Sequence, residues 1–227
     1  MLAGLFDLPE FSTLDIYLRA VNAARFQKRM QYRVKRLIDV VVAVLLLIVL
    51  MPFLLLIAFC VKATSRGSVL YRQQRLKQNG VEFTLYKFRT MVVGADAKLE
   101  EVSHLNQASG PLFKLRKDPR ITRAGRVLRC TFMDELPQLM NVVLGDMSLV
   151  GPRPILAREA GQMEKQFLFR FAVPQGITGP WQVNGHYAAS IDDQLHAERE
   201  YVRAWSLRRD FAIVVRTIPL VLRKAGV

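Results

Sequence analysis

The chain has two cysteines in 227 residues: Cys60 lies in a long apolar run and Cys130 stands near a pair of carboxylates. Two thiols so placed form neither a disulfide framework nor a thiolate metal site, which leaves a reducing, cytosolic setting as the default. Acidic residues are also scarce, 19 against 33 Lys and Arg, giving a formal charge of +14. That imbalance calls for an anionic partner: nucleic acid, an acidic membrane surface or a phosphorylated substrate. No recognised nucleic-acid motif, internal repeat or low-complexity tract accompanies the charge, so a nucleic-acid binder is not expected. The first residues lack a charged start, an apolar core and a small-residue cleavage site, so no cleavable signal peptide is expected. What the chain has in quantity is apolar side chains, 51% of all residues, with a mean hydropathy of +0.16. Basic and greasy together point to a membrane.

From Leu14 to Asp39 there is no Gly or Pro, and Leu14, Tyr17, Leu18, Val21, Met30, Val34, Leu37 and Ile38 form a helical stripe. Arg19, Arg25, Lys28, Arg29, Arg33, Lys35 and Arg36 line the other face, which suits an anionic surface or plain solvent equally well. Val40 to Val61 follows, 22 residues without a charge, enough to cross a hydrocarbon layer as a helix. Pro52 in its middle predicts a kink. Basic residues flank both ends, Arg33, Lys35 and Arg36 before, Lys62, Arg66, Arg72 and Arg75 after, and such flanks stay on the cytoplasmic side. Charge and proline together favour a helix that enters, bends and leaves by the same face over a straight span.

Thr64 to Gly67 reads as a turn, and Val69–Tyr71 and Glu82–Phe88 as short strands around the turn Gln78-Asn79-Gly80. Phe83, Leu85 and either Tyr86 or Phe88 should face the core, and Lys87, Arg89 and Thr90 should form a donor cluster. Helix is expected over Val93–Leu105, Ile155–Phe171 and Ile191–Trp205, and a basic amphipathic helix over Leu207–Lys224. A Gly- and Pro-punctuated loop from Pro174 to His186 is suited to bringing backbone close to a ligand.

Thr131 to Pro154 organises the rest. Asp134 and Glu135 open an apolar helical run that ends at Gly145, and a Gly-Pro-Arg-Pro turn follows at Gly151–Pro154. Thr131 with Asp134 three residues on resembles a capping box, and Pro137 fits only a first helical turn. Carboxylates there sit where the helix dipole favours charge and where a magnesium ion or a phosphate can dock. In isolation, an Asp-Glu pair at a helix start is an ordinary cap.

Five segments change that weighting. K-R-L-I-D at Lys35–Asp39 before the proline-centred apolar run, Y-K-F-R-T-M at Tyr86–Met91, D-E-L-P-Q-L at Asp134–Leu139, G-D-M-S-L-V-G-P-R-P at Gly145–Pro154 and G-I-T-G-P-W-Q-V-N-G from Gly176 occur in this order. From Tyr32 onward the chain resembles the bacterial sugar transferase family, the monotopic polyprenyl-phosphate hexose-1-phosphate transferases. The resemblance implies a mainly α structure with a small β-hairpin (α+β), a Pro-kinked re-entrant membrane helix and interfacial amphipathic helices. It divides the chain into an amphipathic segment (1–38), the membrane helix (39–62), a catalytic domain (63–186) and C-terminal helices (187–227).

It further implies transfer of a hexose-1-phosphate from a UDP-sugar to undecaprenyl phosphate with Mg²⁺, releasing UMP at the cytoplasmic face of the bacterial inner membrane. Asp134 matches the family's nucleophile, and Glu135 its partner in metal and acid–base work; the two would also hold the metal. Lys87, Arg129, Arg153 and Arg75 become phosphate-binding candidates, and Gln182, Asn184 and His186 candidates for the nucleotide or sugar. Membrane lipids are expected partners, and a homodimer is compatible with the resemblance. Two departures stand out: Met51 rather than Ser precedes Pro52, and His186 rather than Arg follows V-N-G. A catalytically silent membrane scaffold is the alternative, disfavoured by the intact Asp134, Glu135, Lys87, Arg129 and Arg153.

Overall fold

The computed structural model describes residues 29–104, 106, 115, 118–161, 165–184 and 191–222. The expectations placed on Leu14 to Lys28, on most of 107–117, and on His186, Arg223 and Lys224 lie outside the described residues. Helix α1, Arg29–Thr64, runs 36 residues with Pro52 inside it and no element boundary there. At 1.5 Å per residue it would measure about 54 Å if straight. It is long and apolar enough to cross a membrane, and only 11% of its apolar window is buried. Leu45, Ile48, Val49, Leu55, Leu56 and Phe59 are each more than half exposed. An apolar face of that extent marks a membrane or protein interface, not a helix at the centre of a soluble core.

The opposite stripe of α1 is docked on the rest of the molecule at both ends. Lys35, Asp39 and Ala43, four residues apart, are buried near the start, and Ile57 and Val61 near the end. Ala43 packs with Phe83, Leu85, Leu139, Val142 and Met147, and Ile57 and Val61 pack with Phe88 and Leu128. Residues 44–46, 48, 49 and 51–53 between these two contacts are all exposed.

Strands β1 (Leu70–Leu76) and β2 (Glu82–Phe88) form an antiparallel hairpin that pairs Tyr71 with Lys87, Gln73 with Leu85 and Arg75 with Phe83. Its loop turns through Asn79 (φ 63°) and Gly80 (φ 69°). Phe83 and Leu85 are buried as expected, and of the two alternatives left open it is Phe88 that is buried, with Tyr86 only partly so. β1 extends to Leu76, beyond the Tyr71 predicted, because its polar residues are paired across the sheet. Helix α2, Leu99–Ser103, is shorter than Val93–Leu105, since Gly94 at φ 76° turns the chain first.

Helix α3, Arg123–Cys130, is capped by Thr122, whose hydroxyl accepts from Gly125 N at 2.9 Å. Helix α4, Gln138–Leu144, starts after Pro137 and ends at Gly145 in the left-handed region. Asn141, fully buried, donates to Thr84 O (2.7 Å) and accepts from Tyr86 N (3.1 Å), locking α4 against β2. Strands β3 (Ser148–Val150) and β4 (Gly176–Thr178) pair in parallel. A Cβ at Gly176 would collide with the backbone of Gly151 and Thr178, so only glycine lets these segments touch.

The segment expected as one helix over Ile155–Phe171 is instead α5, Ala157–Gly161, and a 3₁₀ segment, Lys165–Ala172. Phe169 to Ala172 are buried at four successive positions, a pattern no one-sided amphipathic helix can satisfy. Helix α6 (Pro180–Val183) leads toward α7 (Ile191–Arg203) and α8 (Leu207–Leu222). Phe211, Val214, Val215, Ile218 and Val221 of α8 are exposed, a second apolar face.

A buried polar hub joins α8 to α1. Asp210 accepts from Lys35 Nζ (2.6 Å), Tyr201 OH (2.7 Å) and Trp205 Nε1 (3.2 Å). Lys35 also donates to Val150 O at 3.2 Å, and the Tyr201 hydroxyl oxygen lies 3.2 Å from the same carbonyl. Asp39 accepts from Ser148 Oγ at 2.7 Å, so the foot of α1 is hydrogen-bonded to β3, the strand that leads into Gly151–Pro154.

Candidate active site

The chain between α3 and α4 is shaped by Phe132, which adopts φ 57° and ψ 13°, uncommon for a residue with a bulky side chain. That turn redirects the backbone, and Met133–Glu135 follows as a single 3₁₀ turn. The expected capping box is therefore absent. Thr131 Oγ1 donates backward to Val127 O (2.8 Å) and Leu128 O (3.2 Å), closing α3, because Phe132 separates it from Asp134. Asp134 and Glu135 are presented by the turn ahead of α4, not by the helix itself.

Glu135 is the centre of the charge cluster. Its Oε1 accepts from Lys87 Nζ at 2.7 Å and from Arg153 Nη2 at 3.1 Å. Lys87 comes from β2, and Arg153 from the loop after β3, so three distant segments meet on one oxygen. Arg75, on the same hairpin face, donates to Pro154 O (3.1 Å) and Gln73 Oε1 (2.7 Å) and lies 3.6 Å from Glu159. Arg75, Lys87 and Arg153 together line a narrow, partly open cleft with Leu85, Gln138, Pro154, Gly176 and Ile177. Among the described residues the buried Asp134 carboxylate accepts no hydrogen bond and forms no ion pair, although Lys87, Arg129 and Arg153 act on it electrostatically.

These surroundings drive the two carboxyls apart. Burial raises the Asp134 pKa to about 6; Lys87 pulls it down and Glu135 pushes it up. Burial also acts to raise Glu135, but Lys87 and Arg153 overcome it and hold that group well below the carboxylate range. Lys87 is lowered by burial, against the pull of Glu135. Burial likewise lowers Arg75 to about 10 despite Glu159 nearby, and lowers Arg129 despite Asp134. A pair of carboxyls split in this way consists of one group held ionised and one basic enough to act as a nucleophile or base.

The structure thus gathers Asp134, Glu135, Lys87, Arg153 and Arg75, with Arg129 at the edge donating to Thr90 Oγ1 at 2.9 Å. Lys87 and Arg89 do not form one donor cluster. Arg89 lies just past the end of β2 and donates to Ser65 O (2.9 Å) and Ser65 Oγ (2.8 Å) near the end of α1. Gln182 and Asn184 belong to the α6 region, which packs on α7 and α8, and neither lines the cleft. Asn184 Oδ1 accepts from Arg216 of α8 at 2.9 Å; the Gln182 amide is buried and has no hydrogen-bond partner among the described residues. Gln138 and Gln73 join the site unforeseen. The two-residue alternation Tyr71, Gln73, Arg75 on β1 carried the signal for Gln73.

Mg²⁺ takes near-octahedral oxygen ligation, commonly from one or two carboxylates with substrate phosphates and water. The uncommitted Asp134 carboxylate and Glu135 Oε2 fit that requirement, since Lys87 and Arg153 engage only Oε1. Among the described residues no group of three acidic, His or Cys side chains gathers that could hold a metal alone. The donor set suits a metal shared with a phosphorylated ligand.

The family model for bacterial sugar transferases matches residues 30–224. A UDP-galactose-lipid carrier transferase of Erwinia amylovora is 39% identical over 209 residues, covering 90% of this chain and 43% of that protein. The exopolysaccharide production protein ExoY of Sinorhizobium fredii is 40% identical over 196 residues, 85% of this chain and 87% of that protein. A UDP-glucose:undecaprenyl-phosphate glucose-1-phosphate transferase of Caulobacter vibrioides is 39% identical over 196 residues, 83% of this chain and 69% of that protein. The chain therefore spans under half of some relatives and most of others.

Proposed function

The chain belongs to the bacterial sugar transferase family, and on that premise we propose that it transfers a hexose-1-phosphate from a UDP-sugar to undecaprenyl phosphate or a similar polyprenyl phosphate. It is a phosphoglycosyl transferase by its kinship. Relatives are named for galactose and for glucose, which supports a hexose without choosing between them. The product would begin a lipid-linked polysaccharide.

The observation that carries the mechanism is the contrast between neighbours: Glu135 holds two cations on one oxygen, while Asp134 beside it is buried, uncommitted and raised in pKa. In the proposed first step an Asp134 carboxylate oxygen attacks the sugar-bearing phosphorus of the donor. The bond to the bridging oxygen breaks, UMP leaves with that oxygen, and an aspartyl phosphosugar remains. In the second step an oxygen of the polyprenyl phosphate attacks the same phosphorus, a pyrophosphate bond forms and the Asp134 carboxylate is released. Two anionic substrates, one soluble and one in lipid, then use one site in turn.

Attack by a carboxylate on a pyrophosphate meets like charge, so cations must flank the phosphoryl oxygens. Lys87 and Arg153, kept in place by Glu135, and Arg75 across the cleft supply them, and Arg129 adds positive potential at Asp134. Mg²⁺, bound by Asp134 and Glu135 together with the donor's phosphates, would neutralise charge on the pyrophosphate. Because Glu135 is held ionised, its surroundings favour the metal- and cation-holding part of its expected role over proton transfer.

Lys35, Asp39 and Ala43 before the exposed middle of α1, and Ile57 and Val61 after it, contact one globular body. One body cannot stand on both sides of a bilayer, which supports re-entry at Pro52 with the site on the cytoplasmic face, at headgroup depth. The decisive experiment offers UDP-glucose, UDP-galactose and their N-acetylated counterparts with Mg²⁺ in the absence of lipid. A phosphosugar adduct on Asp134 and UMP release are expected. Full UMP release by Asp134→Asn in the presence of undecaprenyl phosphate would remove Asp134 as the nucleophile.

A further inference from the structure

We propose that the buried pair Arg170–Glu198 is a positioning device that clamps the backbone of Arg153 and so aims its guanidinium at the phosphoryl site. The inference rests on the transferase reading only for what Arg153 binds. Arg170 comes from the 3₁₀ segment and Glu198 from α7, and both side chains are 0% exposed, with Nη2 and Oε2 3.0 Å apart. Arg170 Nη2 also donates to Arg153 O at 2.8 Å, and Arg153 N points to Glu198 Oε1 at 3.4 Å. The pair therefore grips the main chain on both sides of the Arg153 Cα.

The loop sequence makes that grip consequential. In Gly151-Pro152-Arg153-Pro154 the two prolines have no N–H, leaving two donors. Gly151 N goes to Thr178 O at 2.9 Å, and Arg153 N faces Glu198. The Arg153 side chain is 35% exposed and is held at its tip by Glu135 at 3.1 Å. Where that tip can reach is set by the backbone that carries it.

Stability is a poor reason for such a pair. Two charges lose their hydration on full burial, and apolar residues of similar volume commonly serve the fold as well or better. What the pair supplies, and apolar residues cannot, is a donor and an acceptor matched to the carbonyl and amide of Arg153. Gln194, whose Nε2 lies 3.4 Å from Glu198 Oε1, supports the acceptor from within α7.

The test uses the full chain in lipid nanodiscs and two readouts, pyrophosphate binding and steady-state UMP release, on R153A, E198Q, R153A/E198Q and R170M/E198L. R153A should weaken pyrophosphate binding about ten- to a hundredfold, the range for loss of a charged hydrogen bond. E198Q should give about five- to tenfold of the same loss alone, and under about twofold on top of R153A. R170M/E198L should melt close to wild type yet bind and turn over as poorly as E198Q. Losses for E198Q that multiply in full with R153A would overturn the proposal. So would an R170M/E198L variant that folds with wild-type binding and turnover. If wild type releases no UMP from any donor while the pyrophosphate cycle remains non-additive, the transferase reading fails and the clamp stands.

Discussion

At Asp134 the proposed nucleophile carries a cost in stability. Its pKa is raised by burial to about 6, from an ordinary 3.8. A carboxyl whose folded pKa is raised favours the folded state while protonated. That advantage is complete below the unfolded pKa and disappears as pH climbs through the folded one. Above pH 6 the native protein carries the full cost of an ionised, buried carboxylate. Asp134→Asn removes that cost, so the variant should melt higher than wild type at pH 7 to 8, by roughly 1–3 kcal/mol, with the gap closing toward pH 4. Equal melting temperatures at pH 8 would show that Asp134 is not burdened in this way. At residue scale the cluster was legible where motifs carried it: Asp134, Glu135, Lys87 and Arg153 are named by short segments, and Lys87 and Arg153 meet Glu135 at 2.7 and 3.1 Å with Asp134 next in the chain. Arg170 and Glu198 were not legible, because an internal arginine and one glutamate among many charges in α7 carry no local signal of meeting 28 residues apart.

At the scale of elements, local chemistry decided which expectations survived. The hairpin was readable because alternation and the Asn79-Gly80 turn agree, and α4 because Pro137 and Gly145 bracket it. Thr131 misled because a capping pattern says nothing about a left-handed Phe132 between its two ends. The 3₁₀ segment Lys165–Ala172 misled because Phe169 to Ala172 are buried at successive positions, and periodicity distinguishes only one-sided burial. The element contact that sequence could least foresee is the Asp210 hub, which bonds α1, α7 and α8 to β3 across as many as 175 positions. Asp210→Ala leaves Lys35 buried, with Asp39 at 3.7 Å as its remaining carboxylate. Removing one partner of a buried pair typically costs 3–5 kcal/mol, and with Asp39 still present about 3 kcal/mol is expected here. Thermal melting in nanodiscs would measure it, and faster proteolysis within α8 should accompany the loss. A variant that melts and resists protease as wild type does would mean that α8 is held by its apolar contacts alone.

For the whole molecule, the charge and the grease noted at the outset describe two faces of one body. The exposed apolar sides of α1 and α8 need a non-aqueous cover. Basic residues flank them, Arg33 and Arg36 before the apolar run and Lys62 and Arg66 after it, where anionic headgroups would attract them. A straight span would put one of these basic flanks across the membrane, against the usual bias, and would tear either Lys35, Arg36 and Asp39 or Ile57 and Val61 from their contacts. Re-entry preserves both sets. Arg33 and Arg66 are exposed and lie on opposite sides of the apolar run, so they discriminate between the two topologies. In a background carrying C60S and C130S, cysteines placed at positions 33 and 66 should react with a membrane-impermeant maleimide from the same side only. That side should be the one from which UDP-sugar is consumed. Labelling of the two positions from opposite faces would rule out re-entry, and would require one end of α1 to leave the body on which both are seen to rest.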